Sequence, residues 1–90
     1  MLISYDLEKR DETFAERGLD MSRAAEVFAG LHLTQPDRRQ DYGESRNISA
    51  GKLNGQWVVL VWTLREHSRR IISMRRVNGR EIKKIEKDFG

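Results

Sequence analysis

Arg69-Arg70-Ile71-Ile72-Ser73-Met74-Arg75-Arg76 sets four guanidiniums around a short apolar centre. Guanidiniums stay charged and fork onto phosphate oxygens, so the run suits a phosphate-rich ligand, nucleic acid first of all. A single arginine at a strand end is ordinarily just solvated. Here the basic charge is concentrated. Residues 65–90 hold nine Lys/Arg against four Asp/Glu, whereas residues 1–64 hold eight against ten. That asymmetry points to an anionic partner more directly than the net charge of +3 does.

Cleavage of RNA without metal uses the ribose 2′-OH as nucleophile. It needs a base for that proton, positive charge on the phosphorane and an acid for the leaving 5′-oxygen. His32, between Leu31 and Leu33, reads as structural, while His67, beside Arg65, Arg69 and Arg70, either serves as a base or simply faces water. Glu81 is either a base near Arg80 or a helix cap. Arg65 and Arg80 are neighbours able to add charge, and Lys9 and Arg17 lie on one flank of a helix that can widen the basic surface. In a regular strand Arg69 and Arg75 share one face with Ile71 and Ser73, and Arg70 and Arg76 the other with Ile72 and Met74. The two sets line one cleft only if a bend or bulge intervenes. Trp57 and Trp62 also have opposite parity, so one is expected in the core and the other to stack on a base or a partner helix. Asp41, Tyr42 and Glu44 either contact substrate or shape a turn. Metal-ligand spacings, a Gly-rich phosphate loop and a nucleophile triad are absent from the sequence, and its acids are scattered.

Ninety residues with 38% apolar and 34% charged content fit one domain, residues 1–90, with a modest core and an ionic surface. Absence of cysteine removes disulfides and thiolate metal sites and fits a reducing cytosol. The start, Met1-Leu2-Ile3-Ser4-Tyr5-Asp6, lacks a basic n-region and a long apolar run. No signal peptide, membrane span or membrane partner is expected, and the expected location is cytoplasmic.

Leu2 to Tyr5 reads as a first strand. Asp6 caps a helix over residues 7–17 whose narrow apolar stripe is Leu7 and Phe14, and Gly18 ends it. Asp20 caps a second helix with Met21, Ala24, Ala25 and Phe28 on its buried face, ended by Gly30. Leu31 to Thr34 alternates as a short strand closed by Pro36, and a polar loop runs to Glu44. Arg46 to Leu53 and Gln56 to Leu64 flank Asn54-Gly55, a strong hairpin signal. Trp57 to Leu64 is nearly all apolar, as a central strand is. After a loop over Arg65-Glu66-His67-Ser68 comes the arginine-rich strand. Asn78 and Glu81 then form a capping box before a helix carrying Ile82 and Ile85. The order is β-α-α-β-β-β-β-α, an α+β fold.

Three segments together resemble the BrnT family, the toxin half of type II toxin–antitoxin modules. They are Asp41-Tyr42-Gly43-Glu44-Ser45-Arg46, the Asn54-Gly55 hairpin with Val58-Val59-Leu60-Val61-Trp62-Thr63, and Arg70-Ile71-Ile72-Ser73-Met74-Arg75-Arg76. Asp6-Leu7-Glu8-Lys9 and Ala24-Ala25-Glu26-Val27-Phe28 match more weakly. The resemblance implies a RelE-like fold, a curled antiparallel sheet with two N-terminal helices and a C-terminal helix. It implies ribonuclease activity that arrests translation; since the chain lacks metal-ligand spacings and its acids are scattered, the expected enzyme is a metal-independent endoribonuclease with no cofactor that cleaves RNA. A BrnA-like antitoxin would neutralise it in a hetero-oligomer, and operator DNA would be reached only through that antitoxin. Arg70 and Arg75 are shared with the family, and with Arg65 and Glu81 they are the expected catalytic set. Lys9, Arg17, Arg76, Arg80 and His67 are the expected substrate contacts. The family usually has Asn and then His-Gly where this chain has Thr13 and Arg17-Gly18, and often Tyr where it has Ile85. The other reading is an interaction module of weak catalysis whose basic C-terminal surface docks an antitoxin or nucleic acid.

Overall fold

The computed structural model describes residues 2–89. β1 (Leu2–Tyr5) leads into α1 (Leu7–Arg17). A 3-10 turn (Met21–Arg23) runs into α2 (Ala24–Ala29). β2 (His32–Pro36), β3 (Asn47–Leu53), β4 (Gln56–Arg65), β5 (Ser68–Arg76) and α3 (Gly79–Phe89) complete the order expected. The local signals act as anticipated. Asp6 accepts from the Lys9 N–H at 2.9 Å, and Gly18 adopts φ 68° past the end of α1. Asn54 and Gly55 take φ 51° and 76°, the pair of positive values a two-residue hairpin requires. No described helix is long and apolar enough to cross a membrane.

The strands form one open sheet ordered β1-β5-β4-β3-β2. Neighbours from β2 to β5 are antiparallel, but β1 pairs with β5 in parallel, so the expectation of an antiparallel sheet is corrected to a mixed one. The two strands lie at opposite ends of the chain, and no hairpin sets their relative direction. β4 lies at the centre, and Val58 through Thr63 are all buried.

One face of the sheet carries α1 and α2 and holds the core: Met21, Ala24, Val27, Val58, Leu60 and Met74 are all fully buried there. Two stripes differ from expectation. Val27, not Ala25, joins Met21 and Ala24 in the core, because the 3-10 turn over Met21–Arg23 rotates the start of the helix. Leu7 and Phe14 point outward, at 71% and 51% exposure, while Thr13 is the buried residue of α1. Arg10 accounts for much of this. Its guanidinium forks onto Asp20 at 2.9 and 3.0 Å, tying α1 to the 3-10 turn and lying 5.3 Å from the Phe14 ring centre.

The second departure from regularity decides the site. Val61 pairs with Ser73, but Trp62 pairs with Ile71, which leaves Ile72 as an unpaired extra residue in β5. Such a bulge reverses the side-chain alternation beyond it. Ile71 and Met74, three apart, therefore both enter the core, at 2% and 0% exposure. By the same shift Arg70, opposite Thr63, and Arg75, opposite Val59, emerge together on the other face.

Candidate functional site

That other face is only partly covered. α3 crosses it, leaving a cleft of ≈ 290 Å³ between the helix and the strands. Its floor is Leu33, Ile48, Ala50 and Val59, and Arg39, Arg75, Glu81 and Lys84 stand around it. α3 begins with the anticipated capping box: the Glu81 N–H donates to Asn78 Oδ1 at 2.8 Å, and the Asn78 N–H to Glu81 Oε1 at 3.2 Å. The Glu81 carboxylate also receives both Nη groups of Arg75 at 2.9 Å. Arg75, then the Asn78 N–H, hold the Glu81 carboxyl below its usual value, so it is ionised at neutral pH and is a weak proton acceptor. The pair is partly exposed and stabilises by about 0.2–1 kcal/mol.

Arg39 comes from the loop between β2 and β3, which is built around a buried carboxylate. The Asp37 side chain is fully inaccessible and accepts from Arg39 Nε and Nη2 at 2.8 Å and from its N–H at 3.2 Å. Arg39 first, with help from Tyr42, holds the Asp37 carboxyl well below the usual carboxylate range. The loop closes through Asp37 N–H to the Arg46 carbonyl, Gly43 N–H to Asp41, and Thr63 Oγ1 to the Ser45 carbonyl. Arg46 lies 4.1 Å above the Tyr42 ring, and Glu44 bridges Arg46 to Arg65. The Asp41–Arg46 motif thus shapes the loop that presents Arg39.

Asp37 gives a pH-dependent expectation. Its carboxyl titrates lower in the folded chain than in the unfolded one, so its stabilisation is full above about pH 4 and fades as pH falls further. Asp37→Asn is expected to lower Tm at neutral pH, with the gap to the parent closing as pH drops from about 4 toward 2. Melts across that range check it; a gap of constant size would show that the charge is not what Asp37 contributes.

The anticipated site residues separate into groups. Arg70 and Arg75 share the open face, roughly 13 Å apart along β5. Arg70 has no hydrogen bond or ion pair among the described residues and is half-buried. Arg65 shares that face at its far end, bonded to Glu44 at 3.2 Å. His67 lies in the β4–β5 turn, roughly 20 Å from Arg75 along the strand, so the two do not meet at one phosphate. Arg80 is exposed on the first turn of α3. Arg17 and Arg76 lie with the helices instead. Arg17 donates to the Met74 carbonyl at 2.8 Å, on the part of β5 beyond the last partner of β1, and Arg76 donates to the Arg17 carbonyl and to Gln56. Lys9 is exposed near the start of α1. Of the tryptophans, Trp62 is core and donates to Ser49 Oγ at 2.8 Å, while Trp57 is half-buried with Lys52 over its ring. Arg39 and Lys84 were missed in the sequence. An Asp two residues before an Arg is too common a pattern to single out, and Lys84 reads as ordinary helix charge. Among the described residues no three His, Cys, Asp or Glu gather as metal ligands.

The fold and this face define the class: a small α+β protein with a basic, half-open sheet face. Residues 5–81 match the family model described as the ribonuclease toxin, BrnT, of type II toxin–antitoxin systems, and the chain belongs to that family. No curated protein matches it. Membership makes it a ribonuclease toxin by family and implies an antitoxin partner.

Proposed function

We propose that this chain is a metal-independent endoribonuclease toxin that cleaves RNA across the open sheet face and is neutralised by a BrnA-like antitoxin. The observation that carries the reading is the bulge at Ile72, which brings Arg70 and Arg75 onto one face that α1 and α2 leave uncovered. Roughly 13 Å apart, the two guanidiniums reach different, non-adjacent phosphates of one strand, and the one beside the scissile group stabilises the phosphorane. The 2′-oxygen bonds to phosphorus and loses its proton, the bond from phosphorus to the 5′-oxygen breaks, and the leaving oxygen takes a proton from water. Glu81 is the carboxylate beside Arg75 and takes the 2′ proton once the phosphate draws Arg75 away from it. RelE-like architecture, cytoplasmic location and repression of operator DNA through the antitoxin belong to the same reading.

The second reading, an interaction module of weak catalysis, draws on one observation: Arg75 is already occupied by Glu81. Purified protein, defined RNA and excess EDTA separate the two. Cleavage is expected to survive chelation, and RNA binding to weaken with salt at a log–log slope of about −3 for four phosphate contacts on a single strand. Binding without any cleavage favours the module, and a slope near zero removes RNA from either reading.

A further inference from the structure

We propose that the cleft under α3 is a base subsite, holding one unstacked nucleobase of the RNA strand with Gln35 reading its edge. The proposal rests on the RNA reading above and names a place and a reader that the reading does not supply. The family match ends at Glu81, so the α3 side of the cleft, Lys84 and Ile85, lies beyond it.

The shape argues for a single flat group. At ≈ 290 Å³ the cleft is at the small end of ligand pockets. A helix of about 10–12 Å diameter does not enter a space of that size. Protein interfaces bury about 1,200–2,000 Å², far more than this floor offers. An antitoxin segment is therefore the less suitable occupant. The chemistry points the same way. Leu33, Ile48, Ala50 and Val59 offer an apolar floor to the face of a base, and Ile85 offers a wall. Gln35 pairs with Ile48 in the β2–β3 ladder and thus projects to the same face, exposed. Its amide has a donor and an acceptor side by side, the pattern that meets the edge of a base. Arg75 is paired with Glu81 and Asp88 also lines the cleft, so Lys84, which has no ion pair among the described residues, is the cation that matches the charge of the attached phosphate. Unstacked bases are held in this way, against aromatic or apolar side chains with their edge hydrogen-bonded.

The test uses the full chain and the four nucleoside 5′-monophosphates, followed by amide chemical shifts. Shifts are expected at Leu33, Gln35, Ala50 and Val59. Ala50→Leu, which fills the floor, is expected to weaken binding by about tenfold or more. Gln35→Leu, at an exposed position the fold tolerates, is expected to level the affinities of the four nucleotides while keeping the shift pattern. Shifts confined to the Arg65 and Arg70 end, or affinities that neither substitution changes, overturn the subsite. Protection of the cleft by purified antitoxin, with no nucleotide response, overturns it in favour of a protein partner. Because binding is read without turnover, a chain that binds bases in the cleft yet cleaves no RNA sinks the nuclease reading alone. Cleavage with no nucleotide in the cleft sinks the subsite alone.

Discussion

Replacing whichever of Arg70 and Arg75 lies beside the scissile phosphate with alanine is expected to slow RNA cleavage by about 10²–10³, the scale seen when a preorganised donor to a developing anion is lost, while replacing the other is expected mainly to weaken RNA binding. Both residues sit on the open face, and neither is in the core. Arg70 gives the cleaner experiment, because its side chain has no hydrogen bond or ion pair among the described residues. Its removal is expected to move stability by less than about 0.5 kcal/mol. Arg75→Ala also releases Glu81, at a cost of about 0.2–1 kcal/mol for a partly exposed pair. Lys83→Ala, exposed on α3 and outside the cleft lining, is the comparison for general loss of positive charge. Cleavage rates and thermal melts on the three variants decide the matter. Slow cleavage with an unchanged melt supports the assignment. Full activity in both Arg70→Ala and Arg75→Ala removes these residues from the chemistry and turns attention to Arg65 and Arg39.

The largest effect on stability is expected from Leu60→Ala. Leu60 is fully buried at the middle of the central strand, paired with Ser49 on one side and Met74 on the other, both of them fully buried. Truncation there leaves a cavity that neighbouring strands do not collapse to fill, at a cost of about 2–5 kcal/mol. For a chain of this size about 1 kcal/mol shifts Tm by roughly 4–8 °C, so a drop of about 10–30 °C is expected. Leu64→Ala, on the same strand but 56% exposed, is expected to stay within about 0.5 kcal/mol of the parent. Equal melts for the two variants would show that the core lies elsewhere.

Short-range chemistry was legible in the chain itself. Asp6, Gly18, Asn54-Gly55 and the Asn78/Glu81 box act through hydrogen bonds and backbone angles that span a few residues, and each does in the fold what its type and spacing implied. The apolar run from Trp57 to Leu64 likewise marked the central strand, because a strand covered on both faces has no polar side to display. The concentration of arginine after residue 64 was equally plain from composition. Where those arginines point was not.

That direction depends on partners far along the chain. Alternation alone puts Arg70 and Arg75 on opposite faces. A single unpaired residue, Ile72, reverses this, and it exists because β4 and β5 must pair on both sides of Trp62 while burying Ile71 and Met74 together. Leu7 and Phe14 read as a buried stripe, yet α1 is turned by the fork of Arg10 on Asp20, a contact between two elements that periodicity within one helix does not contain. The parallel pairing of β1 with β5, the use of Arg17 and Arg76 to tie α1 to β5, and the meeting of Arg39 with Arg75 across the sheet have the same origin. The sequence by itself determined the elements, their caps and turns, and the sign of the charge, because those follow from neighbours within a few residues. Which arginines share a face was decided only by the tertiary structure, because strand register and helix rotation are set by burial across the whole sheet.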